Sequence, residues 1–179
     1  MRCLDIAGLL CSAILSDTLV FRSPTCTMMD RMAAEALSAI AGIDCAAFGI
    51  EMFTAGSNLK DKTPEEIFYQ DYKKFEFNGV SFGVGQINSM SSVELAEIEQ
   101  RLRPYLEKSC REHGLSMMFF MLTNIIEETT QLMVYGETAS ALVREAFALH
   151  TENGTVTLKG VVSRKKQLIP AFIDAIGKD

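Results

Sequence analysis

Ten consecutive positions, Met117 to Ile126, carry only two polar side chains, Thr123 and Asn124. So unbroken an apolar run fits a strand buried on both faces, and such a strand needs helices on both sides of its sheet. Its neighbours supply the rest of that sheet. Lys73 to Phe77 and Val80 to Ile87 alternate apolar and polar residues around Asn78-Gly79, a strong hairpin signal. Gln131 to Tyr135 and Val156 to Val162 read as further strands. Between them, Ser91-Ser92-Val93-Glu94 opens a helix running to about His113, and Thr138 to Leu149 forms another. The closing helix spans Leu168 to Ile176. Strands interleaved with helices predict an α/β fold, a mixed sheet flanked by helices.

The first 55 residues are of a different kind and show no strand. A helix over 5–16 presents Ile6, Leu9, Leu10, Ala13 and Ile14 on one stripe and is expected to be buried. Arg2 and the apolar run behind it resemble a weak signal peptide. Asp5 in the flank, the lack of a small-x-small cleavage site and the stop at Asp17 favour a helix, and the run is too short to cross a bilayer. Thr27 caps a second helix with Met29, Met32, Ala33, Ala36, Leu37 and Ile40 at 3-4 spacing, stopped by Gly42. Asp44 caps a third, to about Thr54. Residues 56–63 are small and polar and read as a linker, and Thr63-Pro64-Glu65-Glu66 starts the next helix. Residues 64–179 form the second domain.

A net charge of −6 argues against nucleic-acid binding through bulk charge. Cys3, Cys11, Cys26, Cys45 and Cys110 form no C-x-x-C pair and read as reduced thiols of a cytoplasmic protein. His113 and His150 have no partner at ligand spacing and read as structural or solvent-facing. The ten methionines follow helix and strand periodicity and read as core.

In this acidic chain, Ser163-Arg164-Lys165-Lys166-Gln167 places three cations at the start of a helix, where unpaired N–H groups already carry positive charge. A bound anion such as phosphate offsets that repulsion, and a solvated basic turn is the alternative. Lys73 shares Phe75's side of its strand by alternation and points into the protein or a cleft, unless it snorkels outward. Asp17 ends an apolar helix, either as a turn residue or as one ligand of a hard cation whose other ligands lie elsewhere. Gly83-Val84-Gly85 lacks the third glycine and following helix of a dinucleotide fingerprint.

Several segments occur together in order: Ile14-Leu15-Ser16-Asp17-Thr18-Leu19, Ser23-Pro24-Thr25-Cys26-Thr27, Asp61-Lys62-Thr63, Asp71-x-Lys73-x-Phe75, Gln86-Ile87-Asn88, and Lys159-Gly160-Val161-Val162-Ser163-Arg164-Lys165-Lys166-Gln167. This set resembles the carboxyl-terminal part of manganese-dependent (family II) inorganic pyrophosphatases of the DHH phosphoesterase superfamily. The resemblance implies two α/β domains joined by a flexible linker, with the active site in the cleft. Residues 1–55 then correspond to the last helices of the metal-binding DHH domain, and 64–179 to the phosphate-gripping domain. Asp17 matches a manganese ligand, and Lys73, Arg164 and Lys165 match cations that bind pyrophosphate. The implied reaction is hydrolysis of pyrophosphate to two phosphates in a cytoplasmic homo-oligomer that uses neither nucleic acid nor membrane.

The family's Asp-His-His motif is absent, so the chain by itself is expected to be inactive and to leave part of its first apolar stripe uncovered. An exopolyphosphatase-like part and a non-catalytic anion-binding module are the competing readings.

Overall fold

A computed structural model describes residues 3–56 and 59–177. The chain divides into two compact units, Met1–Asn58 and Leu59–Asp179. The second half of the expected linker is not loose. Leu59 is buried, and the Arg101 guanidinium donates to the carbonyls of Leu59, Lys60 and Lys62. Residues 57 and 58 of that linker lie outside the described residues.

The first unit is three helices: α1 (Cys3–Asp17), α2 (Met28–Ala41) and α3 (Cys45–Gly56). Their boundaries follow local chemistry. Thr27 and Asp30 form a reciprocal capping box at the start of α2, and Gly42 ends it in the left-handed conformation at φ 69°. Asp44 caps α3 through the Ala47 N–H at 2.7 Å.

The buried faces differ from those the periodicity suggests. Helix α1 buries Ala7, Cys11 and Leu15, and α2 buries Ala34, whereas Leu9 is 61 % exposed and Met29 73 %. Ile6, Leu10, Met28, Met32 and Ile40 are exposed as well, so the α2 methionines are not core. The physical reason is the small seam: Cys11 and Cys45 both direct Sγ at the Ala34 carbonyl (3.7 and 3.8 Å), and the helices meet through small side chains. The wider apolar stripe has nothing to pack against within this unit. Among the described residues no single helix is long and apolar enough to cross a membrane. The α2–α3 pair has the length and composition to do so only across an 89° bend.

The second unit is a three-layer sandwich. Its sheet has the order β1-β2-β3-β4-β5, with β1 (Tyr72–Phe77), β2 (Val80–Ser89), β3 (Met117–Asn124), β4 (Thr129–Tyr135) and β5 (Thr155–Lys159). Only β2 and β3 run parallel, linked by the crossover helix α5 (Ser92–Glu112), so the sheet is mixed. Strand β3 sits at the centre and every one of its residues is buried. Phe119 and Met121 face α6 (Ala139–Phe147) and α7 (Ile169–Ile176), together with Phe82, Val84 and Phe172. Met118, Phe120 and Leu122 face α5 and α4 (Pro64–Tyr69), together with Phe68, Ile98 and Leu102. Asn78 and Gly79 take positive φ at the β1–β2 turn.

Gly83 and Gly85 have a packing role. A Cβ at Gly85 would lie 2.4 Å from the Phe120 ring, itself fully buried. Gly85→Ala must therefore push an aromatic ring out of a close-packed layer, at a cost of about 1–3 kcal/mol. Urea unfolding of the variant checks this.

A second expectation concerns the thiols. Burial, and then the neighbouring Cys45, push the Cys11 thiol up to about 11, while Cys3 is exposed. At pH 8 iodoacetamide should alkylate Cys3 readily and leave Cys11 unmodified until the chain unfolds, since the thiolate is the reacting form. Peptide mass spectrometry gives the order.

Candidate anion-binding site

Strand β5 stops at Lys159, three residues short of the expected Val162. Gly160 takes φ 73°, and its N–H bonds to the Glu128 carbonyl at 2.8 Å, which turns the chain across the end of the sheet. On this path Thr130 Oγ1 donates to Val161 O at 2.5 Å, and Gln86 Nε2 donates to Val162 O at 3.2 Å. The segment thus spans from β5 over β4 to β2, along the carboxyl ends of the parallel pair, where open α/β sheets bind ligands.

The helix begins at Arg164, not Leu168. Ser163 is its N-cap, accepting the Lys166 N–H on Oγ at 3.3 Å, and Arg164–Leu168 forms one π turn that runs into α7. The Leu168 N–H bonds to Ser163 O at 3.2 Å. Gln167 fastens the approach: its Oε1 accepts the Val162 and Ser163 N–H groups, both at 3.0 Å, and its Nε2 donates to Gly160 O at 2.6 Å. The three cations therefore occupy the first turn of the helix.

Arg164 is 7 % exposed. Its Nη1 donates to Asp71 O at 2.7 Å and to Val84 O at 3.1 Å, and its Nη2 donates to Asp71 Oδ1 at 2.7 Å. The guanidinium is thereby pinned to the edge where β1 begins. Lys165 and Lys166 on the same turn are exposed, with no ion-pair partner among the described residues.

Lys73 pairs in register with Val84, just as Phe75 pairs with Phe82, so both lie on the sheet face that carries α7. The alternation holds, and Lys73 is exposed, so it does not point into the protein interior. Strand β1 is the sheet edge, and a four-carbon stem lets the ammonium reach water. Lys73, Arg164 and Lys165 are thus gathered at the β1 edge of one unit.

Asp17 belongs to the first unit. It is exposed at the end of α1, and its carbonyl accepts the Thr25 hydroxyl at 3.4 Å. Immediately after it, Leu19, Val20 and Phe21 all take positive φ (50°, 53° and 65°), a left-handed turn that side chains such as valine strongly resist. Thr18 Oγ1 accepts the Phe21 N–H at 3.2 Å, and Arg31 Nη2 donates to Phe21 O at 2.9 Å. Strain of this kind persists only where surrounding contacts enforce it, and it clusters at functional sites. Among the described residues no three His, Cys, Asp or Glu side chains converge to hold a metal, so these residues do not by themselves fit manganese.

His113 is structural: Nε2 lies 2.7 Å from the Tyr69 hydroxyl, and the ring stacks on Tyr72. Three residues of this site received no role from the sequence, namely Asp71, Gln86 and Gln167. A buried arginine needs a carboxylate, and Asp71 beside the lysines was the available signal.

Comparison with known proteins adds the following. The DHHA2 domain model matches residues 50–175. A cobalt-dependent inorganic pyrophosphatase of Clostridium perfringens is 42% identical over 96% of this chain and 31% of its own length. A manganese-dependent inorganic pyrophosphatase of Methanothrix thermoacetophila is 41% identical over 97% of this chain and 56% of its own length. A crystal structure assigned to family II of the inorganic pyrophosphatases, from Methanococcus jannaschii, superposes with a TM-score of 0.86 at 37% identity, over 97% of this chain and 56% of that one. The chain spans about half the length, or less, of the curated relatives it matches. With its mixed five-stranded sheet and its helices on both faces, this chain belongs to the DHHA2 domain family.

Proposed function

We propose that this chain is the pyrophosphate-gripping part of a manganese-dependent inorganic pyrophosphatase, with residues 64–179 as the gripping domain and 1–55 as the end of the metal-binding one. The observation that carries the reading is the gathering of Lys73, Arg164 and Lys165 at the β1 edge of the sheet, where Lys73 pairs with Val84 and Arg164 bonds to Val84 O and Asp71. Two exposed ammonium groups and one fixed guanidinium suit an anion that carries several charges on adjacent phosphate groups. The similarity to pyrophosphatases along nearly the whole chain supports the same substrate.

In this reading Lys73 and Lys165 neutralise phosphate oxygens as mobile point charges, and Arg164 orients one phosphate by its planar fork. Asp17 supplies one carboxylate to a manganese ion, which would polarise the phosphate and activate water in a complete enzyme. The other metal ligands come from outside these residues, so the chain binds but does not hydrolyse. Cytoplasmic location and self-association of the complete protein are part of the same proposal.

Titration calorimetry of the purified chain tests it. Pyrophosphate is expected to bind, and Lys165→Ala to weaken the binding on the order of tenfold, the value of one charge-assisted contact. With millimolar manganese, phosphate release should stay at the buffer rate. Turnover would show that the chain carries a complete metal centre, against this reading.

A further inference from the structure

We infer that Asp71 is a positioning residue for anion binding: it sets the orientation of Arg164. This rests on the reading of the basic turn as an anion site. A guanidinium has five N–H donors in one rigid plane. Three are committed, to Asp71 O, Val84 O and Asp71 Oδ1. A single residue accepting from both Nη1 and Nη2 lies across the end of the fork. The donors left over are then Nε–H and the second Nη2–H, which share one edge. That edge is the one that takes two oxygens of a phosphate side by side.

Asp71 does this from an unusual place. Its side chain is 49 % exposed against 8 % for Arg164, so the carboxylate stands at the mouth of the site and the cation beneath it. It lies two residues before Lys73, and its carbonyl also accepts the Gln86 N–H at 3.1 Å, which fixes it to the start of the hairpin. A negative charge so near an anion site lowers the local positive potential. Simple electrostatics therefore disfavours an aspartate here, and orientation of the fork is what it supplies in return.

The two roles predict opposite signs. If Asp71 acts only through its charge, Asp71→Asn binds pyrophosphate more tightly. If it orients Arg164, Asp71→Asn binds more weakly, by about tenfold, although a negative charge has been removed. We would titrate the full chain with pyrophosphate, as wild type, Asp71→Asn and Asp71→Glu, and record the Arg164 Nε–Hε resonance of each by ¹⁵N NMR, assigned with Arg164→Lys.

The expected result is weaker binding and a broadened, fast-exchanging Arg164 signal in Asp71→Asn, with both partly restored in Asp71→Glu. Equal or tighter binding by Asp71→Asn, or an unchanged Arg164 signal, overturns the proposal. Should the wild type fail to bind pyrophosphate, the anion-site reading falls. The NMR comparison then decides alone whether Asp71 holds the guanidinium: a changed signal supports it, and an unchanged one refutes it.

Discussion

The second unit depends on one buried cation. A guanidinium at 7 % exposure is tolerable only if its charge is paired, and Arg164 meets that condition through Asp71, just before β1, with a third bond to Val84 O in β2. From that anchor the rest of the basic turn follows. Lys165 and Lys166 are displayed because their neighbour is tied down, and the crossing segment before them is held by Gln86, Thr130 and Gln167. Neutral side-chain amides and a hydroxyl do the fastening, so the lysines keep their charge for an incoming group.

The two units are built on different packing rules. In the second, large aromatics and methionines fill both faces of a central strand, and glycines at 83 and 85 make room for the rings. In the first, Ala7, Cys11, Ala34 and Gly49 let helices approach closely around Leu15 and Val20, and many large apolar side chains, among them Leu9, Leu10, Met29 and Met32, are left outside. A Cβ at Gly49 would sit 2.7 Å from Val20 Cγ2, so the left-handed turn after Asp17 is pressed into place from the far side by α3.

Much of this was legible in the sequence, and the reasons are local. Caps at Thr27, Asp44, Thr63 and Ser91 name their own helices because a side-chain oxygen three residues before a free N–H is a short-range event. Asn78-Gly79 names its hairpin, and an apolar run without alternation names a central strand. The clustering of Lys73 with the Ser163–Gln167 turn came from resemblance, not from spacing, since it is made by pairing between residues far apart. What stayed illegible was direction. Periodicity marks an apolar stripe on α1 and α2 but not which stripe finds a partner. Alternation put Lys73 on the right face but could not show that an edge strand lets it out. Asp71 stood beside the lysines but without a role for the same reason: a carboxylate reveals its role only when the cation it meets is known.

The Arg164–Asp71 pair joins residues 93 positions apart, most of the span of its unit. Contacts of such separation form after the local ones, because the loop they close must lose its freedom first. During synthesis the Asp71 carboxylate waits until Arg164 has emerged. The grip therefore closes later than the hairpin and the helix caps, whose contacts are local. A chain shortened by even its last two helical turns would keep all five strands and lose the helix that holds the grip in place.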